Sequence, residues 1–568
     1  MFINNYDELL WKGLERHGFL DKLKGIKVTQ VFSVEDKNKF NSIAAKDSKL
    51  YEIVKSLKCI FYVDRLQGGI YYRRYDFDKD LMNEYESILG ENFLGLQMHE
   101  WVTVRKLDWN RIRKAMDGLP QPWSAQDIYE GIKRVSYYKK CIHLSCGTPE
   151  EYGRCMYPES EEDFISDLYE HYELRKIENN NNLLPADSSH LATKIEVAMG
   201  CRGLMPEIGA QTPLTRIQIA LTRGMAESNN LPWGCYYEPW GGSPLSVTLY
   251  NKNKMNIYNL KKGMFHFLDD TSYGGLGGSS RALQRRLYYY AYMSGARFIS
   301  EEWDVGNTFY DWDEFDLTPY GEVKKEFLSF YGKHNIGKHY SLFAIVLPKE
   351  FPIVDLTFIY YGGEYLDRTG DKQRSDNLKY IRDILLSVFY KKDYEVSSDE
   401  NRVLTNSEIG DLFDIVYEDV GYDTLSKYPY LIDTTRDFTF TKENKGLYKN
   451  ILCFNNIDQL KNELNIIMSK ELSCTVHGDA LWLLNKTEDG WIITIMNNDG
   501  VKRNTKQGDV YIKEADKKVL IKFKVKPENI SVIAGWPDNY LTAISKETYS
   551  VTIKAGGFVI ISCNGMKG

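Results

Sequence analysis

From about residue 26 to residue 303, short apolar runs alternate with amphipathic stretches. The runs cover residues 26–33, 59–65, 93–101, 141–145, 183–187, 203–209, 233–240 and 296–303. Runs this short, bounded by turn-forming residues, read as buried strands. Between them, residues 80–89, 161–175, 213–228 and 280–293 carry apolar positions at helical spacing. The last of these opens on a serine pair suited to an N-cap and has Gly295 just past its end. Eight strands with intervening helices are the arithmetic of a (β/α)8 barrel, expected here over residues 1–335. A doubly wound open sheet is the structural alternative.

The rhythm then changes twice. SLFAIVLP at 341–348 reads as a buried parallel strand, 377–389 as a helix, and 411–416 and 428–433 as further strands. These predict a small flavodoxin-like or amidotransferase-like α/β domain over 336–470. It has no GxGxxG fingerprint, so a dinucleotide role is unsupported. From about Leu472 the pattern has period two, in runs at 480–485, 491–497, 519–525, 549–553 and 558–562. That predicts a C-terminal β-sandwich over 471–568.

Composition narrows the function classes. The 568 residues include 72 Lys and Arg against 79 Asp and Glu, a net charge of −7, with no long basic run. This disfavours nucleic acid as a partner. No run of about 18 apolar residues occurs, so no membrane-spanning helix is expected. The nine cysteines are scattered without a CxxC, and neither a zinc ribbon nor a disulfide framework is readable. A reducing, cytoplasmic setting is the expectation; a chain stripped of a secretory leader would begin the same way. Aromatic residues make up 14% of the chain, more than a core alone needs, and favour a site that stacks on ring-shaped ligands.

The chemistry concentrates where apolar runs stop at glutamate: LQMHEW (Glu100, Trp101), GLMPEIG (Glu207), CYYEPWGG (Glu238, Trp240) and ARFISEEW (Glu301, Glu302, Trp303). In a barrel the C-terminal strand ends converge on one mouth. Two carboxyl groups of unequal pKa facing one glycosidic bond are the minimum machinery for sugar hydrolysis. A lone strand-end glutamate is more often a capping or ion-pairing residue; four in one mouth point to catalysis. Glu238 leads, with an aromatic wall before it, Pro239 holding its backbone extended and glycines beyond. Strand alternation lets only one of Glu301 and Glu302 face the mouth, and Glu302 is favoured. Trp101, Tyr237, Trp240 and Trp303 are candidate sugar-stacking residues, and Asp64, Arg65 and Asp187 candidate hydroxyl binders.

Other constellations are weaker. His99 is expected on the packed face, opposite Glu100, by the same alternation. Nine histidines without HxH or HExxH give no expectation of a metal, and no organic cofactor is implied. The glycine-rich segment 273–280 lacks the Walker spacing and reads as a loop over the mouth. No GxSxG elbow is present. Cys146 reads as a buried thiol rather than a nucleophile.

With ISEEW, LTPYGEVKKEFLSF (317–330), YSLFAIVLP, the 410–433 segment GDLFDIVYEDVGYDTLSKYPYLID and the 477–501 segment HGDALWLLNKTEDGWIITIMNNDGV, the chain resembles the TIM-barrel glycoside hydrolases of the large retaining clan. It is most similar in layout to the three-part family 42 β-galactosidases. The resemblance implies a catalytic barrel, a non-catalytic amidotransferase-like scaffold and a small β-domain, with a homo-oligomer formed through the scaffold as a further expectation. It implies a nucleophile on the seventh strand, Glu238. The clan's acid/base is an Asn-Glu pair after the fourth strand; here the run at 141–145 ends in Ser145-Cys146, leaving Glu100 or Glu207 for that role. The expected activity is hydrolysis of O-glycosidic bonds in an oligo- or polysaccharide. The alternative is a non-catalytic carbohydrate-binding scaffold on the same fold.

Overall fold

The computed structural model describes residues 1–29, 39–64, 78–103, 105, 115–120, 123–134, 161–188, 191–210, 212–239, 278–302, 304–310, 313–349, 372–391, 400–504, 508–537 and 539–565. Eight strands form one parallel sheet: β1 (Phe2–Asn5), β2 (Gly25–Thr29), β3 (Ile60–Asp64), β4 (Phe93–His99), β5 (Leu183–Ala186), β6 (Glu207–Gly209), β7 (Cys235–Glu238) and β8 (Ile299–Glu301). Their order is β5-β4-β3-β2-β1-β8-β7-β6. A parallel bridge between Ser188 and Glu207 joins the two outer strands, so the sheet curls into a cylinder. The Glu207 amide donates to the Asp187 carbonyl at 2.9 Å across that seam.

The strand count differs from the sequence reading in an instructive way. Phe2–Asn5 reads FINN, too short and too polar to register as an apolar run, yet all four residues are buried and Ile3 pairs with both Gly25 and Ser300. The expected strand at 141–145 lies outside the described residues. With β1 counted, the strand that ends at His99 is the fourth rather than the third, and Glu100 follows it.

A second departure sits inside β4. Pairing with β3 steps from Phe61↔Phe93 to Tyr62↔Gly95, so one extra residue is inserted there. Gly95 has φ +82°, and a Cβ on it would overlap the backbone of Asn182. The bulge resets the alternation: Leu94 faces the cylinder's interior, whereas Leu96 and Met98 face the surrounding helices. Gln97 and His99 therefore point inward. The lower interior is filled by Ile3, Ile60, Tyr62, Leu94, Leu184, Ala186, Met205, Tyr236 and Phe298, as a packed barrel core requires.

Helix 215–228 (Thr215–Ser228) is covered on both sides, by the barrel and by a second sheet. That sheet is parallel, with Phe413–Tyr417, Phe343–Leu347, Tyr430–Asp433 and Ile451–Leu452 in this order. Gly224 lets the helix approach, because a Cβ there would meet the Ile415 carbonyl. Two buried ion pairs cross the contact, Arg216–Asp411 at 3.1 Å and Arg223–Asp414 at 2.6 Å. Beyond residue 472 the chain forms antiparallel sheets of four and five strands and a separate hairpin. Lys338–His339, expected to open the α/β unit, instead pairs with Lys486 and Asn485 as an edge strand of the five-stranded sheet. Among the described residues no helix is long and apolar enough to cross a membrane.

Candidate active site

Above the apolar layer the interior turns polar. On each strand, the residue two places beyond an inward apolar one also faces inward. This sets Asn5, Asp64, Glu207, Glu238 and Glu302 around the mouth, together with His99 from the bulged β4. The His99, Glu100 and Glu207 side chains meet there, one ligand atom of each lying within 4.8 Å of the others. Glu207 and His99 are buried, while the Glu100 side chain is 31% exposed. Glu100 adopts φ +47°, a left-handed conformation costly for a non-glycine residue. Its amide donates to the Ala186 carbonyl at 2.6 Å, and its carboxylate lies 3.9 Å from His99 Nε2. The His99 ring packs edge-on to Tyr236 at 5.4 Å.

Glu238 and Glu302 stand next to one another. Pairing of Tyr237 with Glu301 puts them in adjacent register, and the Glu302 amide donates to the Tyr237 carbonyl at 2.9 Å. Gly209, opposite Glu238 on β6, leaves room for its carboxylate, since a Cβ there would lie 2.7 Å from Oε2. Glu301 turns outward. It accepts from Tyr288 and, at 2.6 Å, from Lys324 on the helix Pro319–Phe330. Between these carboxylates and the lower core sits a fully buried lysine. Lys27 pairs with Asp64 at 3.2 Å, reaches Asp304 at 3.9 Å and donates to the Glu301 carbonyl at 2.5 Å. Burial pushes the Asp304 carboxyl up, and Lys27 partly offsets this.

Several of the candidate ligand-binding side chains make contacts within the chain. Trp101 is buried against Tyr172 and donates to Glu196 at 2.9 Å, on the helix side of the barrel. Tyr237 also points outward, bonded to Ser279 and packed edge-on to Tyr288. Both follow from alternation: each neighbours an inward-facing residue. Asp64 holds Lys27 and Thr29 through Oδ2. The Asp187 carboxylate is turned away from the cavity and bound by the chain. It accepts from Val102 N at 2.5 Å, Thr103 N at 3.3 Å, Thr103 Oγ1 at 2.9 Å and Ser188 N at 2.8 Å. Burial, with the Glu100 charge beside it, pushes its pKa up to about 8 against those hydrogen bonds. Arg65, Trp240, Trp303 and Cys146 lie outside the described residues, as does the glycine-rich segment up to Gly277.

Sequence reasoning missed His99 and Lys27. The one signal for His99 was Gly95 inside an otherwise apolar run, the mark of a bulge. Lys27 was visible as a lone charge in the apolar IKV stretch. The imidazole and two carboxylates of His99, Glu100 and Glu207 are also a donor set able to hold a divalent ion, assembled from two strands and so invisible as a motif.

No family model and no curated protein sequence matches the chain. Among solved structures it is similar to a GH42 β-galactosidase from G. stearothermophilus, with a TM-score of 0.47 and 8% identity over 99% of this chain and 98% of that one. An α-L-fucosidase isoenzyme from Paenibacillus thiaminolyticus gives 0.43 and 10% over 98% and 96%. The catalytic module of a family 98 glycoside hydrolase from Streptococcus pneumoniae gives 0.38 and 10% over 98% and 94%. At these values the barrel stands on its own strand pairing, and the chemistry rests on the residues.

Proposed function

We propose that the protein is a glycoside hydrolase that cleaves O-glycosidic bonds with a pair of glutamates at the barrel mouth. The observation that carries this is the meeting of Glu100, just past β4, and Glu207, the first residue of β6, whose carboxylate oxygens approach within 4.8 Å. Two carboxyl groups that close disfavour the simultaneous ionisation of both. Glu100, the more exposed, is suited to donate a proton to the leaving oxygen. Buried Glu207 is suited to attack the anomeric carbon. A short separation, about 5–5.5 Å between carboxyl groups, favours retention over inversion.

Glu238 is the second candidate for the nucleophile. It corresponds to the strand-seven glutamate of the clan that the sequence resembles, and Glu100, after the fourth strand, is the candidate for the clan's acid/base, with His99 where the clan has Asn. A carbohydrate chain is the substrate in this reading. The α/β unit over 336–470 and the terminal β-domain over 471–568 serve as scaffold. No metal or organic cofactor takes part.

The test is a hydrolysis screen over aryl-glycosides and oligosaccharides, repeated with Glu100→Gln, Glu207→Gln and Glu238→Gln. Glu100→Gln is expected to lose about 10²–10⁴-fold in kcat on oligosaccharides and much less on aryl-glycosides, whose leaving groups need no proton. The larger loss between Glu207→Gln and Glu238→Gln identifies the nucleophile. Full activity in all three variants would overturn the proposal. Sugar binding without turnover by the wild-type protein would leave a carbohydrate-binding scaffold.

A further inference from the structure

The residues on either side of Glu238 are held by one serine. The Ser279 amide donates to the Pro239 carbonyl at 2.8 Å, and its hydroxyl shares a hydrogen bond of 2.9 Å with the Tyr237 hydroxyl. The Tyr320 hydroxyl donates to the same Pro239 carbonyl at 3.0 Å. Ser279 thus brackets Glu238, whose own side chain is buried at the mouth.

Ser279 is in turn held from the terminal β-domain. The strands Val501–Asn504 and Gly508–Tyr511 form a separate hairpin. A two-stranded hairpin is marginal by itself, and this one lies against the start of the helix Arg281–Met293. Arg503 donates to the Gly278 carbonyl at 2.5 Å. Asp509, directly opposite Arg503 in the hairpin, accepts from Ala282 N at 3.2 Å. The residues before and after the Ser279–Ser280 pair are therefore fastened to one hairpin. Its base is anchored as well. Asn401 and Val501 exchange two hydrogen bonds, at 3.0 and 3.2 Å, and beside Val501 the Gly556 carbonyl accepts from Arg286 at 2.6 Å. Lys502 and Val510, which alternate with these contacts, face solvent.

We propose that Arg503 is a positioning residue for Glu238, holding Gly278 so that Ser279 keeps its grip on Tyr237 and Pro239. The terminal β-domain then completes the frame of the barrel mouth rather than merely supporting it. A carboxylate that must meet a sugar in a fixed geometry tolerates little displacement, so loosening Ser279 slows turnover without weakening the binding of substrate. The proposal rests on the glycosidase reading for its consequence in catalysis, but not for its geometry.

The experiment measures deuterium uptake of the full-length protein by mass spectrometry in the wild type, Arg503→Ala, Asp509→Ala and Lys502→Ala, alongside kcat and KM on a hydrolysed glycoside. In Arg503→Ala, β7 and residues 279–284 are expected to exchange several-fold faster while β3 is unchanged. There kcat falls by about tenfold or more and KM holds. Asp509→Ala moves both readings the same way, and Lys502→Ala moves neither. Thermal unfolding of each variant shows that it is folded. If Arg503→Ala does not fold, Asp509→Ala decides by the same two readings. Wild-type exchange over β7 in the folded variant overturns the proposal, and so does faster exchange there with a wild-type kcat. Faster exchange of β3 in step, or equal changes in Lys502→Ala, would mean a general loosening and overturn it too. Faster exchange confined to the two segments, in a protein whose wild type hydrolyses no glycoside, would sink the glycosidase reading and leave the hold on Glu238 standing.

Discussion

At the scale of single residues, the described part of the mouth is crowded with acids. Lys27 is a fully buried cation at its floor, shared by Asp64 and Asp304. Replacing it with methionine removes a buried cationic partner from both carboxylates, and truncating one partner of a buried pair costs about 3–5 kcal/mol. Urea unfolding of Lys27→Met should show a loss of that order; a wild-type midpoint would mean that the pairs are of no consequence. The second expectation concerns metals. His99, Glu100 and Glu207 are close enough to hold an ion, yet the hydrolytic scheme needs only a shared proton. Exhaustive dialysis against a chelator should leave turnover unchanged. Loss of turnover, restored by Zn²⁺ or Mn²⁺, would reassign the three to a metal. The glutamates themselves were legible because each ends an apolar run, as with Glu207 and Glu238. Their outward neighbours Trp101 and Tyr237 were read as ligands because composition gives an aromatic residue but not its direction.

At the scale of elements, the bulge in β4 decides which face His99 takes. Alternation counted from Phe93 assigns His99 to the packed face; the residue inserted at Gly95 reverses that assignment. A methyl group at Gly95 would collide with Asn182 in a backbone conformation that alanine disfavours. Gly95→Ala should therefore cost about 1–3 kcal/mol and reduce turnover more than a distant destabilising substitution of equal size. Paired unfolding and kinetic measurements check this, and equal losses would separate the bulge from function. The same element shows where sequence reading fails. Propensity sees apolar content, so the long runs of β3, β4 and β7 were found. Phe2–Asn5 escaped because its burial comes from neighbours on both sides rather than from its own composition. Missing it displaced the strand count and hid the place of Glu100 after the fourth strand.

At the scale of the whole molecule, the helix Thr215–Ser228 fastens the barrel to the α/β sheet. Arg216 pairs with Asp411, which also accepts from Tyr290, and Arg223 pairs with Asp414. Asp411→Ala strands a buried guanidinium and should cost about 3–5 kcal/mol, read by calorimetry as a lower Tm or as a split of one transition into two. An unchanged thermogram would show that the contact is passive. The division into a barrel, an α/β sheet and antiparallel sheets was readable from changes in hydrophobic period. The ties between them were not, because Arg216 and Asp411 are far apart in sequence and carry no local pattern.

Lys338–His339 adds a practical consequence. This two-residue strand leaves the barrel's last helix and completes the edge of the terminal sheet beside Leu481–Lys486. A truncation near residue 470 would therefore strip that strand of its mate and bare backbone donors and acceptors to any passing chain, inviting self-adhesion. The mirror fragment, starting at 471, would lack the same strip and expose the other half of the seam. Dissecting the molecule for expression should keep the two halves of that joint in one polypeptide.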